Sequence, residues 1–158
     1  MTRPCSPGIY HLVVAVPGTV RLRIGRLGIF TFPAGHYVYT GSAMGGLGAR
    51  LARHRSRPRR LRWHIDYLLR RAEVVEVVTV PTRRRIECAR NRRLLSLPGA
   101  RVVVPGFGSS DCRCPSHLVY LASRALSQDW RGRKQNVAVR RPIMLAAARR
   151  DGGDRGAH

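Results

Sequence analysis

The sequence predicts an α/β domain: a small, mainly antiparallel sheet of three core strands, an added hairpin, and helices packed on it. Three observations carry this. Segments rich in β-branched and aromatic residues alternate with segments whose apolar residues recur at helical spacing. Gly/Pro pairs punctuate the first strand-like segments closely enough for hairpins. A chain of 158 residues with 44% hydrophobic residues suits one domain with a true core.

Taken in order, Gly8 to Val16 holds Ile9, Tyr10, Leu12, Val13, Val14 and Val16, all residues that favour a strand. Pro17-Gly18 marks a turn. Val20, Leu22 and Ile24 alternate with Arg21, Arg23 and Gly25, a half-buried strand with a basic outer face. Leu27 to Phe32 reads as its partner, stopped by Pro33-Ala34-Gly35. Tyr37 to Thr40 is a strand running into Gly41, and Gly45-Gly46 form a loop before a helix over Leu47 to Arg55. There Leu47 and Leu51 share one face, Arg50 and His54 another, and Pro58 is the stop signal. Leu61, Ile65, Leu68 and Leu69 give the apolar stripe of a second helix, Leu61 to Arg71. Val74 to Val80 is a valine-dense strand. Thr82 is an N-cap candidate for a third helix reaching Leu95. Val102 to Val104 is a short strand, and His117 to Leu121 a last strand or helix start. Residues 1–121 thus form the domain. Residues 122–158 lack apolar periodicity and read as a basic, poorly ordered tail.

Charge narrows the function classes. Lys and Arg number 30 against 8 Asp and Glu, a net charge of +22. Only Lys134 is lysine, a skew that suggests a GC-rich genome and has no functional meaning by itself. The nearly fourfold excess of base over acid does have meaning, because a compact domain so charged repels itself unless a polyanion is near. Nucleic acid is the simplest partner. The longest clean apolar stretch, Leu12 to Val16, is too short to span a membrane. No signal-peptide pattern is evident, so the expected location is the cytoplasm, with Cys5, Cys88, Cys112 and Cys114 as reduced thiols.

The ordered set Gly8-Ile9-Tyr10, Tyr39-Thr40-Gly41, Arg50 and His54 on the following helix, and Glu87 after the next strand resembles the GIY-YIG nuclease superfamily. Thr40 stands where the second half of the name has Ile. Three further runs narrow the resemblance to a small branch, some of whose members are fused to endonuclease III. They are Phe32-Pro33-Ala34-Gly35, Trp63-His64-Ile65-Asp66-Tyr67-Leu68-Leu69, and Gly106-Phe107-Gly108-Ser109-Ser110-Asp111-Cys112-Arg113-Cys114-Pro115-Ser116-His117-Leu118. The likeness covers residues 8–121. It implies a metal-dependent endonuclease that hydrolyses DNA phosphodiester bonds, with DNA repair as its setting.

On that reading the catalytic set is Tyr10, Tyr39, Arg50, His54 and Glu87. Glu87 would hold a single Mg²⁺ or Mn²⁺. Arg50 would pair with phosphate oxygens. Tyr10 or Tyr39 would accept a proton from the attacking water, provided the metal and Arg50 pull its pKa down, and His54 would hydrogen-bond phosphate or water. Arg53, His64, Ser109, Ser110 and His117 are candidates for nucleic-acid contact. Each residue also has an ordinary reading. The tyrosines suit strand packing, Arg50 is one of many solvated charges, and Glu87 would form a weak surface ion pair with Arg83. His64 and Asp66 fall off the apolar stripe, as surface or supporting groups.

Cys112-x-Cys114-x2-His117 admits zinc, with the fourth ligand from Cys88, Cys5 or Asp111. The alternatives are a tight turn packed over the sheet, a phosphate-binding edge of Ser109, Asp111 and His117, or a redox-sensitive pair. Two other functions keep the charge without the catalysis: a nucleic-acid-binding module, and a structural protein of a ribonucleoprotein particle.

Overall fold

The computed structural model describes residues 6–56 and 60–121. Cys5, Pro58 and the proposed tail, 122–158, lie outside the described residues. Four strands make one antiparallel sheet: β1 (Gly8–Val16), β4 (Gly35–Ala43), β5 (Glu73–Pro81) and β6 (Leu118–Leu121), in the order β5-β1-β4-β6. A second, two-stranded sheet pairs β2 (Val20–Arg23) with β3 (Ile29–Phe32), joined through a 3-10 turn at Gly25–Leu27. The helices are α1 (Leu47–Arg55), α2 (His64–Leu68) and α3 (Glu87–Leu95). Among the described residues no helix is long and apolar enough to cross a membrane.

β1 is nearly all apolar because it is central and covered on both faces. Tyr10, Leu12, Val14 and Val16 join Tyr37, Tyr39, Leu47, Ile65 and Leu68 in the larger core, which lies beneath α1, α2 and the hairpin. Val13, Val38, Val78 and Val119 face the other way and pack with Leu94 of α3. Helices therefore flank the sheet on opposite faces, which lets α1 and α3 approach one edge from both sides.

Four expectations change. The sheet has four strands rather than three, because residues 118–121 pair with β4, from His36↔Leu121 to Tyr39↔Leu118. Val102 to Val104 is not a strand; the described bridge there is Arg101↔Tyr120, and Pro105 cannot donate to a ladder. The second helix shrinks to His64–Leu68. The Asp66 carboxylate accepts hydrogen bonds from the N–H of Arg62 (2.8 Å) and of Trp63 (3.0 Å), holding the chain before it extended. The third helix starts at Glu87, not after Thr82. The Thr82 hydroxyl instead accepts the Arg84 N–H at 3.0 Å, a local turn that postpones the helix.

Candidate active site

The site grows from an unfinished ladder. β6 ends its pairing opposite Tyr39, with one further bond from Thr40 N–H to His117 O at 3.0 Å. β4 continues to Ala43, paired to β1 on its other side. At the edge that β6 leaves open lies a cleft of about 530 Å³. Its walls include Tyr39, Gly41 and Ser42 of β4, Arg50 of α1, Arg62, Trp63 and His64 before and within α2, and Arg85, Glu87 and Cys88 at the start of α3. Gly108, Ser110, Asp111, Cys112 and His117 close it.

Tyr39, Arg50 and Glu87, far apart in sequence, therefore share one cavity. Arg50 reaches it by a route the sequence does not show. Its guanidinium lies 4.3 Å from the centre of the Trp63 ring, and its Nη1 donates to Ser42 O at 3.0 Å. Arg53 stacks on the same indole at 4.5 Å, and Arg62 lies at 5.8 Å. Arg50 has no carboxylate partner among the described residues. The ion pair goes to Arg53, whose Nη2 donates to Asp66 Oδ2 at 2.8 Å. Glu87 opens α3 where the helix dipole favours a carboxylate. It has no ion pair with Arg83, and its Oε2 is buried without a hydrogen-bond partner.

Tyr10 and His54 stand behind this wall rather than on it. The Tyr10 hydroxyl and His54 Nε2 are 2.8 Å apart, and the Tyr10 and Tyr39 rings lie 6.2 Å apart between centroids. Burial pushes both phenols above their usual pKa, against the lowering pull of Arg50. Arg50 alone therefore does not acidify the phenols, because desolvation outweighs the nearby cation. Two further placements, of Arg53 and Ser109, differ from expectation, and that of Asp66 decides between its two readings. Arg53 is tied to Asp66 and does not line the cleft. Asp66, 4% exposed, is an internal acceptor rather than surface. Ser109 is buried with its hydroxyl unpartnered, and only its neighbour Ser110 reaches the cavity. His64 does line the cleft, its Nδ1 accepting the Gly108 N–H at 2.8 Å.

Thr40 also gains a reason. It faces away from Tyr39, and its hydroxyl lies 2.9 Å from His11 Nδ1. Arg90 Nε donates to His11 Nε2 at 2.9 Å, so the proton of neutral His11 is on Nδ1 and is donated to Thr40. An isoleucine at position 40 would remove that hydrogen bond.

His11 and His54 predict acid sensitivity. Burial, helped by Arg90, holds His11 down at about 3. Burial lowers His54 to about 4, with Arg50 and Arg53 adding to the effect and Asp66 opposing it. An unfolded histidine titrates near 6.5, so below that pH the unfolded chain binds protons that the folded chain refuses. Folding stability is full above that value and falls with pH, by about 2 kcal/mol per histidine at pH 5. Urea unfolding at pH 7 and pH 5, in high salt to screen the net charge, should show the drop. Equal midpoints would refute it.

Thr40 leads directly to the last cluster. His117 Nδ1 lies 3.1 Å from Thr40 O; a carbonyl only accepts, so Nδ1 carries the proton and Nε2 presents a lone pair. That lone pair faces Cys112 Sγ at 3.4 Å and Cys88 Sγ at 3.7 Å. With Cys114 Sγ, the four donor atoms all lie within 4.8 Å of one another. The three thiols are free. Burial and the Cys114 and Cys112 neighbours push Cys88 up to about 12.

The model of an uncharacterised family, Domain of unknown function DUF123, matches residues 9–137. The chain belongs to the DUF123 family. The match takes in every cleft residue named above and runs beyond Leu121 into the segment read as a tail. No curated protein and no solved structure matches the chain. Within this DUF123 domain, sequence reasoning passed over Arg62, Arg85 and Ser42 as cleft residues. The only signal for the two arginines was their place beside Trp63 and Glu87, lost among so many others.

Proposed function

We propose that the cleft binds a nucleic-acid phosphodiester, preferably of DNA, and that the protein is a metal-dependent endonuclease. One observation carries this reading. Two opposite charges line a single cavity without pairing: Arg50, held by an indole and a carbonyl, and Glu87, with a buried oxygen that no group among the described residues satisfies. A phosphate with its cation would satisfy both. Arg50 presents a planar fork that suits two phosphate oxygens. The unpartnered Glu87 oxygen fits a hard divalent cation, Mg²⁺ or Mn²⁺, which when bound supplies Lewis-acid charge to the phosphate and the leaving oxygen. Tyr39 offers a hydroxyl to orient the attacking water. The Tyr10–His54 pair behind it backs that hydroxyl with a second phenol and a neutral imidazole. His64, Ser110, Arg62 and Arg85 on the rim would grip neighbouring backbone, in keeping with the charge of +22.

The raised proton affinity of both phenols favours a second reading, a nucleic-acid-binding module without turnover. Incubation with supercoiled plasmid and Mg²⁺ or Mn²⁺ separates the two. The endonuclease nicks or linearises plasmid, and Arg50→Ala slows it by about 10²-fold or more, the usual cost of losing one group that stabilises transition-state charge. Equal nicking by wild type and variant would refute the assignment of Arg50. Salt-sensitive binding with intact plasmid would leave the module.

A further inference from the structure

We infer that Cys88, Cys112, Cys114 and His117 bind one zinc ion in a closed, structural site that anchors the cleft. The inference does not depend on the endonuclease reading.

The donors come from two separate pieces of chain. Cys88 is the second residue of α3, Cys112 and Cys114 lie in the loop before β6, and His117 directly precedes β6. Nothing in local turn chemistry requires three thiols and an imidazole to converge from a helix and a loop. In a tetrahedral site with zinc–sulfur and zinc–nitrogen bonds of about 2.3 and 2.0–2.1 Å, a sulfur and a nitrogen ligand sit about 3.6 Å apart. The Cys112 Sγ and Cys88 Sγ distances to His117 Nε2, 3.4 and 3.7 Å, straddle that value.

The histidine is already oriented as a ligand. Its Nδ1–H is spent on the Thr40 carbonyl, which leaves Nε2 to coordinate. This is the supporting bond that metal-binding histidines ordinarily make. Three thiolates and an imidazole select zinc over Mg²⁺ or Mn²⁺, which take oxygen ligands. Four protein donors fill the tetrahedron and leave no position for water, so this ion is distinct from one held by Glu87.

The consequence is mechanical. Zinc would join the loop carrying Gly108, Ser110 and Asp111 to the first turn of α3, one residue beyond Glu87. It would set the position of one whole wall of the cleft.

The test is metal content. Full-length protein purified under reducing conditions without chelator should carry one zinc per chain by plasma mass spectrometry. Replacement by Co²⁺ should produce thiolate-to-cobalt charge-transfer absorption. Cys112→Ser should lose most of the metal, whereas Glu87→Gln should keep it all. Should Cys112→Ser fail to fold, the cobalt spectrum of the wild-type chain decides alone. A chain that holds no transition metal after reconstitution, or that shows a disulfide among these cysteines, overturns the inference. Zinc-loaded protein that never cleaves plasmid would sink the endonuclease reading and leave this one standing.

Discussion

Glu87→Gln is expected to reduce plasmid cleavage by about 10²–10³-fold or to background, while folding stability stays within about 1 kcal/mol of wild type. The two halves of this result come from the same atom. Glu87 Oε2 is buried and has no hydrogen-bond partner among the described residues, so an amide of the same shape forfeits no bond there and only the modest attraction of the α3 dipole, about 0.3–1 kcal/mol. If the carboxylate is kept for a cation and a phosphate, only the reaction will miss it. A structural role for Glu87 predicts the reverse: a loss of stability clearly beyond that dipole contribution at the N-terminus of α3, and cleavage unaffected. Cleavage assays and urea unfolding on the same preparation distinguish the outcomes. A variant that cuts at the wild-type rate would remove Glu87 from the chemistry.

Gly41→Ala should be the most damaging of the conservative substitutions. β1 and β4 are paired in register with Tyr10 opposite Gly41, and the Tyr10 ring lies across the glycine. A Cβ there would come within 2.5 Å of Tyr10 Cζ and 2.9 Å of Cε1, and would collide with the hydroxyl. Tyr10 is 1% exposed and held against His54 and Tyr39, so the ring has no room to turn aside. The expected cost is about 3 kcal/mol, the upper part of the range for overpacking, together with loss of whatever Tyr39 does in the cleft and Tyr10 behind it. Gly45→Ala is the internal control. Its Cβ would meet nothing within 4 Å, and it should change stability by less than about 0.5 kcal/mol. A Gly41→Ala protein as stable as Gly45→Ala in urea would show that β1 and β4 are not this tightly apposed.

Gly8 repeats the argument at the other end of the pattern. A Cβ on it would meet Val80 O and Leu47 Cδ1, each at 2.6 Å. The two glycines that frame the Gly8-Ile9-Tyr10 and Tyr39-Thr40-Gly41 motifs therefore serve close approach of strand to neighbour, which is visible only once the neighbours are known.

What the chain's residues determine by themselves is local. The run of strand-forming residues specifies β1, the valine-rich run specifies β5 to within a residue at each end, and paired apolar residues between glycines and a proline specify the Leu47–Arg55 helix, because propensity, periodicity and breakers depend only on neighbours in sequence. The excess of arginine over acid follows from composition alone. Tertiary structure decided matters of partner and solvent. It shortened the second helix, because Asp66 found the N–H groups of Arg62 and Trp63. It committed Arg53 to Asp66 and left Arg50 without an acid among the described residues, although the two arginines look alike in sequence. It raised the affinity of Tyr10 and Tyr39 for their protons by burying them, since desolvation is set by what surrounds a group and not by its place in a motif. It also brought Cys88 to Cys112, Cys114 and His117, a convergence of a helix start with a distant loop that spacing along the chain cannot encode.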